Sequence, residues 1–189
     1  PVLAVPALAA WGVAVWVPTY RGLDGSDGPG GWPETFDDVS DAVDYVAELG
    51  EPGEFTPDLE QVHLLGHSAG GHLAAWALGR DLLPEGAPGN DCRVIARSAT
   101  AMAGVYDLEL AERSQRGWLV RSLLSGADPD EATAGLVAGL RALRGETQAS
   151  SGNRRSSFSQ KAWMVWIFRP PGVSSARANR RRASDIALR

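Results

Sequence analysis

Cysteine is nearly missing: Cys92 is the only one in 189 residues. That excludes a disulfide framework and any cysteine-rich metal site. Lysine is as scarce, with Lys161 standing against 17 arginines. Histidine is confined to His63, His67 and His72, so any site that needs an imidazole draws on one short stretch. No apolar run reaches the roughly 20 residues a membrane span needs. The longest, Val2 to Pro18, is interrupted by Pro6 and Gly12 and has no basic flank, so it reads neither as a span nor as a secretory leader. Hydrophobic residues at 44% and charged residues at 22% are ordinary globular usage and exclude a collagen, a coiled coil or a wholly disordered chain.

The net charge of −5 conceals a split. Residues 1–140 carry 21 acidic and 7 basic side chains, whereas 141–189 carry 2 and 11. This divides the chain into one domain over 1–140 and a basic, Arg/Ser-rich tail over 141–189, expected to be disordered or non-native. Abundant Arg, Ser, Ala and Pro is also what a shifted reading frame in GC-rich DNA would encode. Arg154, Arg155 and Arg180 to Arg182, with Trp163 and Trp166 between them, have the residue types that contact phosphates and stack on bases. A solvated tail explains them more simply, and nucleic acid is not an expected partner.

Periodicity predicts alternating strands and helices. Val2–Trp11 reads as a helix, and Val13–Val17 as a fully buried strand rich in β-branched and aromatic residues. Gly22–Gly31 reads as a turn-rich loop without the ligand spacing of a calcium loop. Val39, Ala42, Val43, Val46 and Leu49 recur at helical spacing, opposite Asp37, Asp38, Asp41, Asp44 and Glu48. With Pro33 at the start and Gly50 at the stop, they predict an amphipathic helix. Val62–Leu65 predicts a strand, Gly66–Gly71 a turn, His72–Arg80 a helix and Val94–Met102 a strand. Helical faces follow at Leu119–Leu124 and Ala132–Leu143, and Trp163–Phe168 is an isolated apolar patch. Strands alternating with helices imply βαβ units and a mostly parallel sheet.

Gly66-His67-Ser68-Ala69-Gly70 fits the Gly-x-Ser-x-Gly nucleophile elbow. With 22 glycines and 15 serines in the chain, the bare pattern is weak; its place between a predicted strand and a predicted helix gives it force. At such a turn the serine is strained with φ > 0. Gly66 and Gly70 spare the bend a crowding Cβ. The backbone N–H of Ala69, at the helix start, can then stabilise a developing oxyanion. His67 and His72 are five apart and do not share a helix face, which argues against a metal pair. His67 reads as elbow packing, His72 as a helix residue and His63 as a core or edge histidine.

These segments resemble the α/β-hydrolase superfamily, in its branch of esterases and kynurenine-formamidase-like enzymes. The resemblance is carried by Val13–Arg21, Gly31–Val39, Gly66–Ala74 and Gly104–Leu108, across about residues 2–110. It implies a three-layer α/β/α partial α/β-hydrolase fold with a mostly parallel sheet. It also implies hydrolysis of a carboxylic ester or amide through an acyl-enzyme on Ser68. The family places a His-Gly-Gly oxyanion loop upstream of the first residue and an acid followed by a histidine downstream. Neither is legible here: the last histidine is His72, and Asp107, Asp128, Asp130 and Asp185 are acids without a base. The chain therefore reads as truncated at both ends, with the family sequence ending between Leu110 and Gly145, and impaired as a catalyst.

The expected partner is a small ester or amide, with no cofactor, no metal and no membrane. Self-association through exposed sheet edges is expected of an incomplete sheet. One cysteine and no leader point to the cytoplasm. The alternative reading is a non-catalytic scaffold, a pseudoenzyme that binds through the hydrolase fold and the basic tail.

Overall fold

The computed structural model describes residues 4–25, 28–49, 56–115, 117–124 and 163–168, the last through their backbone. Helix α1, Ala4–Ala9, ends where Gly12 takes a φ of 74°. Strand β1, Ala14–Trp16, follows. It is half-buried rather than fully buried, because among the described residues only one of its edges is paired.

The acidic amphipathic segment forms α2, Glu34–Asp44, continued by a 3₁₀ turn over Tyr45–Glu48. Phe36, Val39, Val43 and Val46 are completely buried. At about 1.5–3 kcal/mol for each large apolar side chain, this face fixes the helix to the core. Glu34 and Asp37 lie in the first turn, where the helix dipole favours carboxylates. Pro33 sits just before the helix, at its cap, one place earlier than its usual first helical position.

Strand β2, His63–His67, alternates in burial, with Leu64 and Gly66 inward. Helix α3, Ala69–Leu78, is buried at every position from Gly70 to Leu78. It starts three residues before the start predicted from periodicity. An all-buried helix has no polar face to mark its beginning. Strand β3 covers only Ser98–Met102. At the expected start of that strand the N–H groups of Arg93 and Val94 donate to Asp44 instead, and only at Arg97, whose N–H donates to the Val62 carbonyl, does pairing with the β2 segment begin. Helices α4, Leu108–Glu112, and α5, Gly117–Leu124, come next. Strand β4 is Trp163–Phe168.

The sheet order is β1-β4-β2-β3. Strands β2 and β3 are parallel, and β4 runs antiparallel to both β1 and β2. Among the described residues three of the four strands therefore point one way, and the fold is α/β. The fourth strand lies within the span read as a basic tail. The helix predicted over 132–143 and the tail arginines lie outside the described residues.

Candidate active site

The centre of interest is the junction of β2 and α3. Ser68 stands alone between them at φ 58° and ψ −122°. Such a conformation costs a non-glycine residue on the order of 1–3 kcal/mol. Two local features over-determine it. Its N–H donates to the Met102 carbonyl at 2.9 Å, which carries the β2–β3 ladder past the end of β2. Its carbonyl accepts from Gly71 and His72 at 3.0 and 3.1 Å, which begins α3.

The surrounding glycines answer to space. A Cβ on Gly66 would strike the Gly70 carbonyl, and one on Gly71 would lie 2.5 Å from the Met102 carbonyl oxygen. The Gly-x-Ser-x-Gly pattern identifies Gly66. It misses Gly71, whose role appears only when β3 is placed alongside.

The Ser68 side chain is half-buried and makes no capping bond to α3, so its hydroxyl is not spent on holding the helix. Ala69 is exposed and is the first residue of α3. Its N–H has no carbonyl within the helix to bond and carries the positive end of the helix dipole. A hydroxyl beside such a donor is an arrangement suited to acyl transfer.

The histidines are placed differently from one another. His63 Nδ1 is 2.7 Å from Ser98 Oγ, across the β2–β3 pair. His67 is half-buried at the end of β2. His72 is buried in α3, with Nδ1 2.6 Å from the Val105 carbonyl. A carbonyl only accepts, so Nδ1 carries the proton and donates. Nε2 is buried with no partner among the described residues. Burial pushes the His72 pKa below the ordinary histidine value, against a smaller upward pull from the Val105 bond. The ring is therefore neutral and held as a structural group.

Asp107 caps α4, its carboxylate accepting from the Leu110 N–H at 2.7 Å. Asp128, Asp130 and Asp185 lie outside the described residues. Among the described residues no set of three His, Cys, Asp or Glu side chains is placed to hold a metal.

The other segments that carry the resemblance form two braces around this turn. In the first, Arg21 grips Asp38 through Nε and Nη2 at 2.9 and 2.8 Å, and its N–H donates to the same carboxylate. The guanidinium holds the Asp38 carboxyl below the usual range. Thr35 Oγ1 donates to the Arg21 carbonyl at 2.7 Å and accepts from the Gly31 N–H. Trp32 packs edge-on to Phe36, and Phe36 packs against both Trp76 and His72. The strand end is thus tied to α2, and α2 to the helix that follows Ser68.

The second brace is Gly104–Leu108. Tyr106 donates to the Ala101 carbonyl of β3 at 2.8 Å, and the Val105 carbonyl receives His72. A Cβ on Gly104 would lie 2.7 Å from the backbone nitrogen of His72. An open hollow of about 300 Å³ is walled by Thr19, Tyr20, Arg21, Asp38 and Asp41. Ser68 is not part of its wall, and the hollow does not define the site.

The family model described as the alpha/beta hydrolase family matches residues 2–187. The chain belongs to the alpha/beta hydrolase family. Comparison with curated proteins and with solved structures gives no match. The family match runs beyond the roughly 110 residues that carry the resemblance by motif, and it includes β4. Within this alpha/beta hydrolase the strand–Ser68–helix turn, Gly66, Gly70 and Ala69 are brought together as one unit. The described residues bring no histidine or carboxylate into a hydrogen bond with the Ser68 hydroxyl.

Proposed function

We propose that this chain is a serine-nucleophile hydrolase of carboxylic esters or amides. Ser68 Oγ attacks the acyl carbon and gives its proton to a base. The carbonyl oxygen becomes an oxyanion, held by the Ala69 N–H. Collapse expels an alcohol or amine that takes up a proton, and water then releases the acid from the acyl-serine. The observation that carries the reading is the Ser68 backbone at φ 58°, ψ −122° between a strand and a helix. Strain of that kind is maintained where a turn must present a side chain.

The same residues argue for a slow enzyme. His63 and His72 each have Nδ1 engaged in the fold, and loss of a triad member costs several orders of magnitude. The reading of a non-catalytic scaffold rests on that same engagement.

Labelling the purified chain with a fluorophosphonate, beside Ser68→Ala, decides between them. Labelling that disappears in Ser68→Ala is the expected result. A folded parent chain that takes no label would leave the scaffold reading.

A further inference from the structure

The turn at Ser68 is braced on two flanks of very different origin. On one side stands β3, which supplies the Met102 carbonyl to the Ser68 N–H. It lies 30 residues past Ser68 and is linked to it through α3. On the other side stands β4, which pairs with the whole of β2, from His63↔Ile167 to His67↔Trp163. That ladder reaches the residue before Ser68. The same strand pairs Ala14↔Phe168, Val15↔Ile167 and Trp16↔Trp166. Strands β1 and β2 are not neighbours in the sheet. Without β4, strand β2 would keep β3 and the packing of α3 but lose its ladder on the side facing β1.

Strand β4 is separated from α5 by residues 125–162, a stretch of 38. Its pairing with β2 is therefore non-local, joining segments about a hundred residues apart, whereas β3 follows β2 through α3. Elements open locally at free energies below that of global unfolding, and β4 is the neighbour of β2 that no single helix crossover ties to it.

We propose that Trp163–Phe168 is a positioning strand for Ser68: its docking between β1 and β2 sets the reactivity of the nucleophile. The proposal rests on the reading of Ser68 as the nucleophile. The site is then conditional, complete with β4 docked and slack with β4 released.

Ile167 is the residue to change, because it is paired to His63 on one side and Val15 on the other. Proline there removes a ladder donor in a strand with two neighbours. In the full chain, Ile167→Pro is expected to label with a fluorophosphonate about 10²-fold more slowly than the parent, as a small misplacement of a reacting group does. Amide exchange at Leu64–His67 is expected to accelerate, and Ile167→Val is expected to keep both properties. A lysine-flanked synthetic peptide of residues 163–168 is expected to restore labelling of Ile167→Pro, which a general loss of folding would not allow. Should Ile167→Pro not fold, Ile167→Gly takes its place with the same readings.

Parent-like labelling and exchange in the variant, or no restoration by the peptide, overturns the proposal. A parent chain that takes no label overturns the nucleophile reading alone. Exchange at Leu64–His67 then decides whether β4 braces β2.

Discussion

Ser68 is held at a backbone angle that L-residues avoid, and glycine accepts that angle without penalty. Ser68→Gly should therefore melt higher than Ser68→Ala, by roughly 1 kcal/mol, while both lose fluorophosphonate labelling. Equal melting midpoints would show that the turn is not strained. His72 offers a second test. Its folded pKa is depressed by burial relative to the unfolded value near 6.5, so below that value the unfolded chain binds the proton more readily. Stability is then fully present above about pH 6.5 and falls as pH drops toward the folded pKa, by up to about 1.4 kcal/mol per pH unit inside that window. In urea titrations at pH 7 and pH 5, His72→Phe should lose less stability than the parent between the two. Parallel curves would remove His72 as the cause.

The helices and strands show what periodicity can and cannot reveal. Helix α2 was legible because its acids and aliphatics segregate; β2 was legible only in part, since the apolar run Val62–Leu65 marks the strand but the glycine hides its continuation through Gly66 and His67. The start of α3 was not legible, since its faces are all apolar and the turn before it hides in glycines. Val94 looks like the start of a strand by composition, but its N–H and that of Arg93 are taken by Asp44. That carboxylate accepts from Arg80 Nη2 at 2.8 Å and from the N–H groups of Arg93 and Val94. The Arg80 side chain is 2% exposed, and its Nε donates to the Gly89 carbonyl. No sequence pattern announces a pair 36 residues apart. Asp44→Ala leaves a buried guanidinium without its counter-charge and should cost about 3–5 kcal/mol. Glu109→Ala, at the exposed Glu109–Arg113 pair, should cost less than about 0.5 kcal/mol. Chemical denaturation of the two variants reads the contrast directly, and similar losses would mean that burial does not govern these pairs.

Across the whole chain, the α/β class and the hydrolase family could be read from strand–helix alternation and the Gly-His-Ser-Ala-Gly-Gly-His string. The sheet order could not. Nothing in Trp163–Phe168 tells it to sit between β1 and β2, because pairing with segments about 100 and about 150 residues away leaves no local signature. The same order leaves the outer edge of β3 without a partner among the described residues, and Thr100 is exposed at its middle. A run of Ser-Ala-Thr-Ala-Met has no charge to repel a second edge. We expect the chain to associate through this edge, with an elution volume in size-exclusion chromatography that shifts with concentration. Thr100→Lys places a charge on the edge and should return the chain to a concentration-independent monomer, without altering the buried face of β2. If the parent elutes as a monomer at every concentration, the edge is protected. If Thr100→Lys associates as the parent does, the contact lies elsewhere, and the outer edge of β1 becomes the surface to alter next.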